Sequence, residues 1–137
     1  MKIAIQIHIF LVAFLFSMPL HAKECTKNEA VAAETVIDYL DSWKEIYNAF
    51  KSFGHCDDGA IAEGFDDVIS IQWSEHWDNI NDMIKFVQEN MNFKAFVYKR
   101  IGSETIPYDR WEKIVAQAKA SCPTEAFEFC RKIEEAK

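Results

Sequence analysis

Hydrophobic and polar positions fall into two regimes along the chain. Residues 1–22, MKIAIQIHIFLVAFLFSMPLHA, carry one basic side chain, Lys2, then an apolar run to Met18, Pro19 and a small terminal residue, Ala22. From Thr26 onward, apolar residues recur every three or four positions, the stripe that turns one side of an α-helix toward a core. No stretch alternates cleanly with period two. The pattern therefore predicts an all-α fold, a small helical bundle of five to six helices with short connections.

Thr26-Lys-Asn-Glu29 matches a capping box, in which the threonine hydroxyl and the glutamate carboxylate each satisfy a free backbone NH, so a helix is expected to start there. Ala33, Val36, Leu40, Trp43, Tyr47 and Phe50 continue a single stripe, with Gly54 as a left-handed stop. That predicts one long first helix. A second is expected over 57–73, capped by Asp57, with Ile61, Phe65, Val68, Ile69 and Gln72 inward. A third is expected over 78–90 and a short fourth over 93–101, ended by Gly102. The last two, over 107–120 and 123–136, begin at prolines, which a first helical turn tolerates.

The N-terminal regime changes the picture from fold to destination. A basic start, an apolar stretch and a small residue before polar sequence is the layout of a secretory signal peptide, with cleavage expected after Ala22. Gln6 and His8 interrupt the run, leaving it short of the roughly 20 apolar residues of a membrane span. Cys25 lies too far downstream to carry a lipid anchor. The expectation is a single domain over 23–137 in the periplasm or outside the cell, with no membrane anchor after cleavage.

Removing the leader takes one of 15 basic residues and none of the 22 acidic ones, leaving 14 against 22 and a formal charge of −8. Such a chain is repelled by nucleic acid and anionic membrane surfaces and drawn toward basic proteins. All four cysteines, Cys25, Cys56, Cys122 and Cys130, follow the leader. An even count without close C-x-x-C pairs in an exported domain predicts two disulfides rather than a zinc site. A first helix of about 26 residues would be roughly 39 Å long, too far for Cys25 to reach Cys56, since bridged Cα atoms lie about 4.4 to 6.8 Å apart. Pairing Cys122 with Cys130 would then strand two thiols, so crossed pairing is expected: Cys56 with Cys122 and Cys25 with Cys130, if the last helix runs antiparallel to the first.

Candidate chemistry concentrates in FGHCDDGAIAEGFDD, residues 53–67. Asp57 and Asp58 suit a helix N-terminus, where exposed NH groups and the helix dipole favour negative charge. Gly59, Ala60 and Gly64 suit close packing. Glu63, between Ala62 and Gly64, is the carboxylate that capping leaves unexplained: a buried structural residue, a partner contact, or, least of all, a general acid. Asp66 and Asp67 fit a solvated outer face. His55 and His76 lack the spacing of zinc ligands, and the acids do not follow an EF-hand loop. No metal or cofactor is expected. No nucleophile elbow, phosphate loop or dinucleotide fingerprint occurs, so binding is expected rather than catalysis. Trp73 and Trp77, one turn apart in QWSEHWD, are candidate interface anchors beside Asp58, Glu63 and Asp66.

The segment GHCDDGAIAEG, residues 54–64, is similar to one found in small exported proteins of Gram-negative bacteria. In organisation the chain resembles the small periplasmic immunity proteins that neutralise cell-wall or membrane toxins delivered by type VI secretion. That resemblance implies stoichiometric occlusion of a toxin's active cleft by a protruding helix or loop. The alternative expectation is an envelope accessory protein that self-associates as a homodimer and binds no toxin; a small hydrolase built around Glu63 is a third.

Overall fold

Where one long first helix is expected, the chain makes two. A computed structural model describes residues 23–136, so the expected leader lies outside the described residues. Helix α1 (Lys27–Ile37) starts at the expected capping box: Thr26 Oγ1 accepts from the Glu29 NH at 3.3 Å, and Glu29 Oε2 accepts from the Thr26 NH at 3.0 Å. It stops at Asp38, and α2 (Trp43–Phe53) starts afresh from Ser42. Ser42 Oγ accepts from the Glu45 NH at 3.3 Å, while Glu45 Oε2 accepts from the Ser42 hydroxyl and the Asp41 NH. Ser42-Trp-Lys-Glu45 thus repeats the S/T-x-x-E spacing of the first cap and interrupts a stripe that looks continuous.

This break overturns the expected disulfides. The two helices fold into a hairpin, which brings Cys25 and Cys56 together with Cα atoms 4.9 Å apart, and they are bridged. Cys122 and Cys130 form the second bridge, with Cα atoms 6.2 Å apart. They meet because Cys122 lies in the turn before the last helix, which starts only at Phe127, so the chain doubles back between them. Gly54 is also not a left-handed stop: its φ is −59°, and a Cβ there would stand 2.7 Å from the Phe50 ring.

The remaining helices are α3 (Gly59–Glu75), α4 (Ile80–Glu89), α5 (Met91–Tyr98), α6 (Tyr108–Ala120) and α7 (Phe127–Glu135), with 3-10 turns at Gly54–Cys56, Trp77–Asn79 and Thr124–Ala126. The fold is all-α, with seven helices and no strand among the described residues. The one helix beyond the expected count comes from the split at residues 38–42. None of these helices is long and apolar enough to cross a membrane.

Helix α3 is the central element, packed between α1 and α6, while α4 lies against α2 and α5, and α7 against α6. Its inward residues Phe65, Ile69 and Trp73 are fully buried. Around them sits an aromatic cluster in which Tyr47 stacks on Phe86 at 4.6 Å and Phe50 meets Phe96 at 4.8 Å. The close approach of α1 to α3 depends on Gly64, where a Cβ would stand 2.9 Å from Ile37 Cγ2.

Candidate functional site

The segment over residues 53–67 resolves, residue by residue, into a structural clamp with an exposed edge. Cys56 is bridged to Cys25. Asp58, rather than Asp57, is the N-cap of α3, its carboxylate accepting from the Gly59 NH at 2.8 Å. Gly59 turns the chain into the helix with a φ of +51°, a left-handed conformation that favours glycine. Gly64 carries the packing role expected of the small residues; nothing lies within 4 Å of a Cβ added at Gly59.

Asp57 is freed from capping because it is committed elsewhere. Its carboxylate, only 7 % exposed, receives Arg100 Nη2 at 2.6 Å and is also touched by Lys99 Nζ. Arg100 is almost wholly buried, just beyond the end of α5. Its guanidinium lies 3.8 Å from the centre of the Phe96 ring and donates through Nη1 to the Phe96 carbonyl. Its Nε stands 3.1 Å from Asp66 Oδ1, a charge contact rather than an aligned hydrogen bond. Burial pushes the guanidinium below its ordinary pKa, and the charges of Asp57 and Asp66 oppose that shift. Two carboxylates on one buried cation are the arrangement that makes such burial tolerable.

Asp66 does not solvate the outer face. Besides Arg100, its Oδ2 accepts from Ser103 Oγ at 2.8 Å and from Thr105 Oγ1 at 2.6 Å. The loop after α5 is thereby fastened on both sides of Glu104, which is itself exposed. Asp67 stays on the surface, paired with Arg110 at 2.5 Å. Arg100, Ser103 and Thr105 are the residues that sequence reasoning missed. A lone arginine in the apolar run FVYKRIG, opposite an acid-rich segment, was the available signal.

The two tryptophans are core, not anchors. Trp73 is fully buried, and its indole NH points to Met83 Sδ at 3.3 Å; Trp77 is 6 % exposed and donates to the Ser121 carbonyl at 3.0 Å. Trp73 is packed against Met83 of α4 and Phe129 of α7, while Trp77 lies beyond the end of α3, in the 3-10 turn at Trp77–Asn79. Of the expected contact residues, Asp58 and Glu63 remain outside. Glu63 is exposed and makes no hydrogen bond or ion pair within the described residues, so it is not the buried structural carboxylate. It lies one turn before Asp66, and hence on the side of α3 that meets the 103–105 loop. Asp58, Gly59, Ala60, Glu63 and Glu104 are all exposed, and among the described residues only Asp58 of these acids has a partner, in its own cap.

Nearby, Glu29 joins the clamp to α1. Lys23, then the Thr26 NH and hydroxyl, hold its carboxyl down to about 2. His55 Nε2 lies 3.3 Å from the same carboxylate, beside the Cys25–Cys56 bridge. Among the described residues, no group of three or more His, Cys, Asp or Glu could hold a metal ion. No protein-family model matches the chain, and no characterised protein or solved structure is significantly similar to it.

Proposed function

We propose that this is an exported binding protein, an immunity or inhibitor protein that acts stoichiometrically on an envelope-targeting toxin. It works by occlusion rather than turnover, through the acidic face formed by Glu63 on α3 and Glu104 on the adjoining loop. The observation that carries this reading is that Asp66 fastens the loop from beneath, through Ser103 and Thr105, while leaving Glu104 exposed between them. A loop held in one conformation loses little entropy on binding, which is what a rigid plug needs. The formal charge of −8 and the two carboxylates that form no ion pair among the described residues suit a partner with a basic cleft, and the leader layout over 1–22 with two disulfides suits an oxidising envelope.

The test is affinity capture from envelope extract with the oxidised protein, Glu63→Lys, Glu104→Lys and a control reversal at Asp82, an exposed acid on α4. Both site reversals should release the partner and the control should keep it, with capture weakening as salt rises. A partner retained by the double reversal, with helicity unchanged, would remove this face from the account.

A further inference from the structure

Helix α1 is apolar on two sides. Inward, Ala33 and Ile37 are buried against α3. Outward, Val31 is 56 % exposed, Val36 38 % and Tyr39 80 %, with exposed Ala32 and Thr35 between them. At about 100° per residue, Asn28, Val31, Ala32, Thr35, Val36 and Tyr39 share one strip running the length of the helix and into the turn after it. The strip contains no charge, in a chain with 22 acidic residues. On its far side it opens into a groove against α2, lined by Leu40, Ala49 and Phe53, with Glu45, the helix-capping acid of α2, at its edge.

We propose that this outer face of α1 is a two-fold contact between two copies of the chain. Copies that each carry about −8 repel one another over most of their surface, and an uncharged strip is where they approach at least cost. A basic partner would be met by acids, and the strip offers none. Its layout is also complementary to itself. A two-fold axis passing between the two copies of α1, level with the Ala33–Glu34 bond, sets the helices antiparallel, so that Val31 faces Val36 of the other copy, Ala32 faces Thr35 and Asn28 faces Tyr39. The small residues fall at the centre, where two helix axes must come within about 8 to 10 Å. Lys27 and Asp38 sit at opposite ends of the same flank, and neither forms an ion pair among the described residues. The same axis brings Lys27 of each copy toward Asp38 of the other. This contact is independent of what the acidic face binds, because α1 turns its other side to α3.

Sedimentation equilibrium of oxidised protein beginning at residue 23 tests it. The expected result is a reversible dimer, with Ala32→Glu weakening the dissociation constant at least tenfold. Lys27→Asp and Asp38→Lys should each weaken it and the double variant should recover it. Val31→Ser, at a half-exposed position, should also weaken it, giving a second reading should Ala32→Glu disturb the helix. A monomer at every concentration overturns the proposal. So does a dimer indifferent to Ala32→Glu and Val31→Ser, and a double reversal that fails to recover association overturns the antiparallel arrangement.

Discussion

Arg100 and Asp57 are 43 residues apart in sequence and meet at 2.6 Å with both side chains almost completely shielded from water. Removing one partner of a buried pair leaves the other charge uncompensated, which typically costs about 3 to 5 kcal/mol. Arg100→Met is expected to lie in that range by urea unfolding, because it strands Asp66 as well as Asp57. Arg100→Lys should recover little, since a point charge cannot replace a planar guanidinium facing two carboxylates and a ring. A loss below about 1 kcal/mol, the level of an exposed ion pair, would show that the cluster does not hold the fold.

The bridges make a prediction readable by mass alone. Tryptic digestion without reductant should join the peptide over 24–27 to that over 52–85, while the peptide over 120–131 should carry its bridge internally. The Cys25–Cys56 bridge closes 31 residues against 8 for Cys122–Cys130. In the chain-entropy model that difference is worth about 1 kcal/mol, so the Cys25→Ser/Cys56→Ser variant should be the less stable of the two double-serine variants. A linked peptide carrying both Cys56 and Cys122 would restore the crossed pairing expected from sequence.

Gly64→Ala should destabilise although it improves helix propensity. Alanine would gain about 1 kcal/mol over glycine in an open helix, but here its Cβ lands 2.9 Å from Ile37 Cγ2. Overpacking of this kind costs about 1 to 3 kcal/mol. Ile37→Ala should therefore relieve Gly64→Ala, a coupling that a thermal denaturation cycle measures. Strict additivity of the two changes would mean that α1 does not approach α3 this closely.

Helices were legible because their periodicity and caps are local properties; α3 to α6 begin and end close to where the stripe, Pro107 and Gly102 place them, whereas α7 starts at Phe127 rather than Pro123, behind a 3-10 turn. The break at residues 38–42 was not, because Val36, Leu40 and Trp43 keep the helical spacing across it. Ser42 and Glu45 were the only local sign, and a capping box inside a stripe carries little weight. The misplaced disulfides followed from that break, which folds Cys25 back to Cys56, and from the late start of α7, which lets the chain turn back from Cys122 to Cys130. Asp57 and Asp66 were misread for a different reason: what they do depends on Arg100, and nothing local to either carboxylate announces a partner on another helix. Glu63 was recognisable as the residue left over, since its neighbours are small and its charge has no capping role.

Acid should weaken the fold through Glu29. Its carboxyl is held down to about 2 by Lys23 and by the Thr26 donors. A group whose folded pKa is depressed stabilises above its unfolded value and loses that contribution as pH falls toward the folded one. Between about pH 4.5 and 2, the denaturation midpoint should therefore fall, and Glu29→Gln should flatten that part of the acid limb. An identical pH profile for the variant would exclude this carboxylate as a source of acid sensitivity.

The exposed acidic face is most directly tested by photo-crosslinking in intact cells. A photoreactive residue placed at position 63 or 104 should each give one adduct with the same basic envelope protein, while position 82 on α4 gives none. No adduct from either site, or the same adduct from position 82, would contradict the claim that Glu63 and Glu104 face the partner.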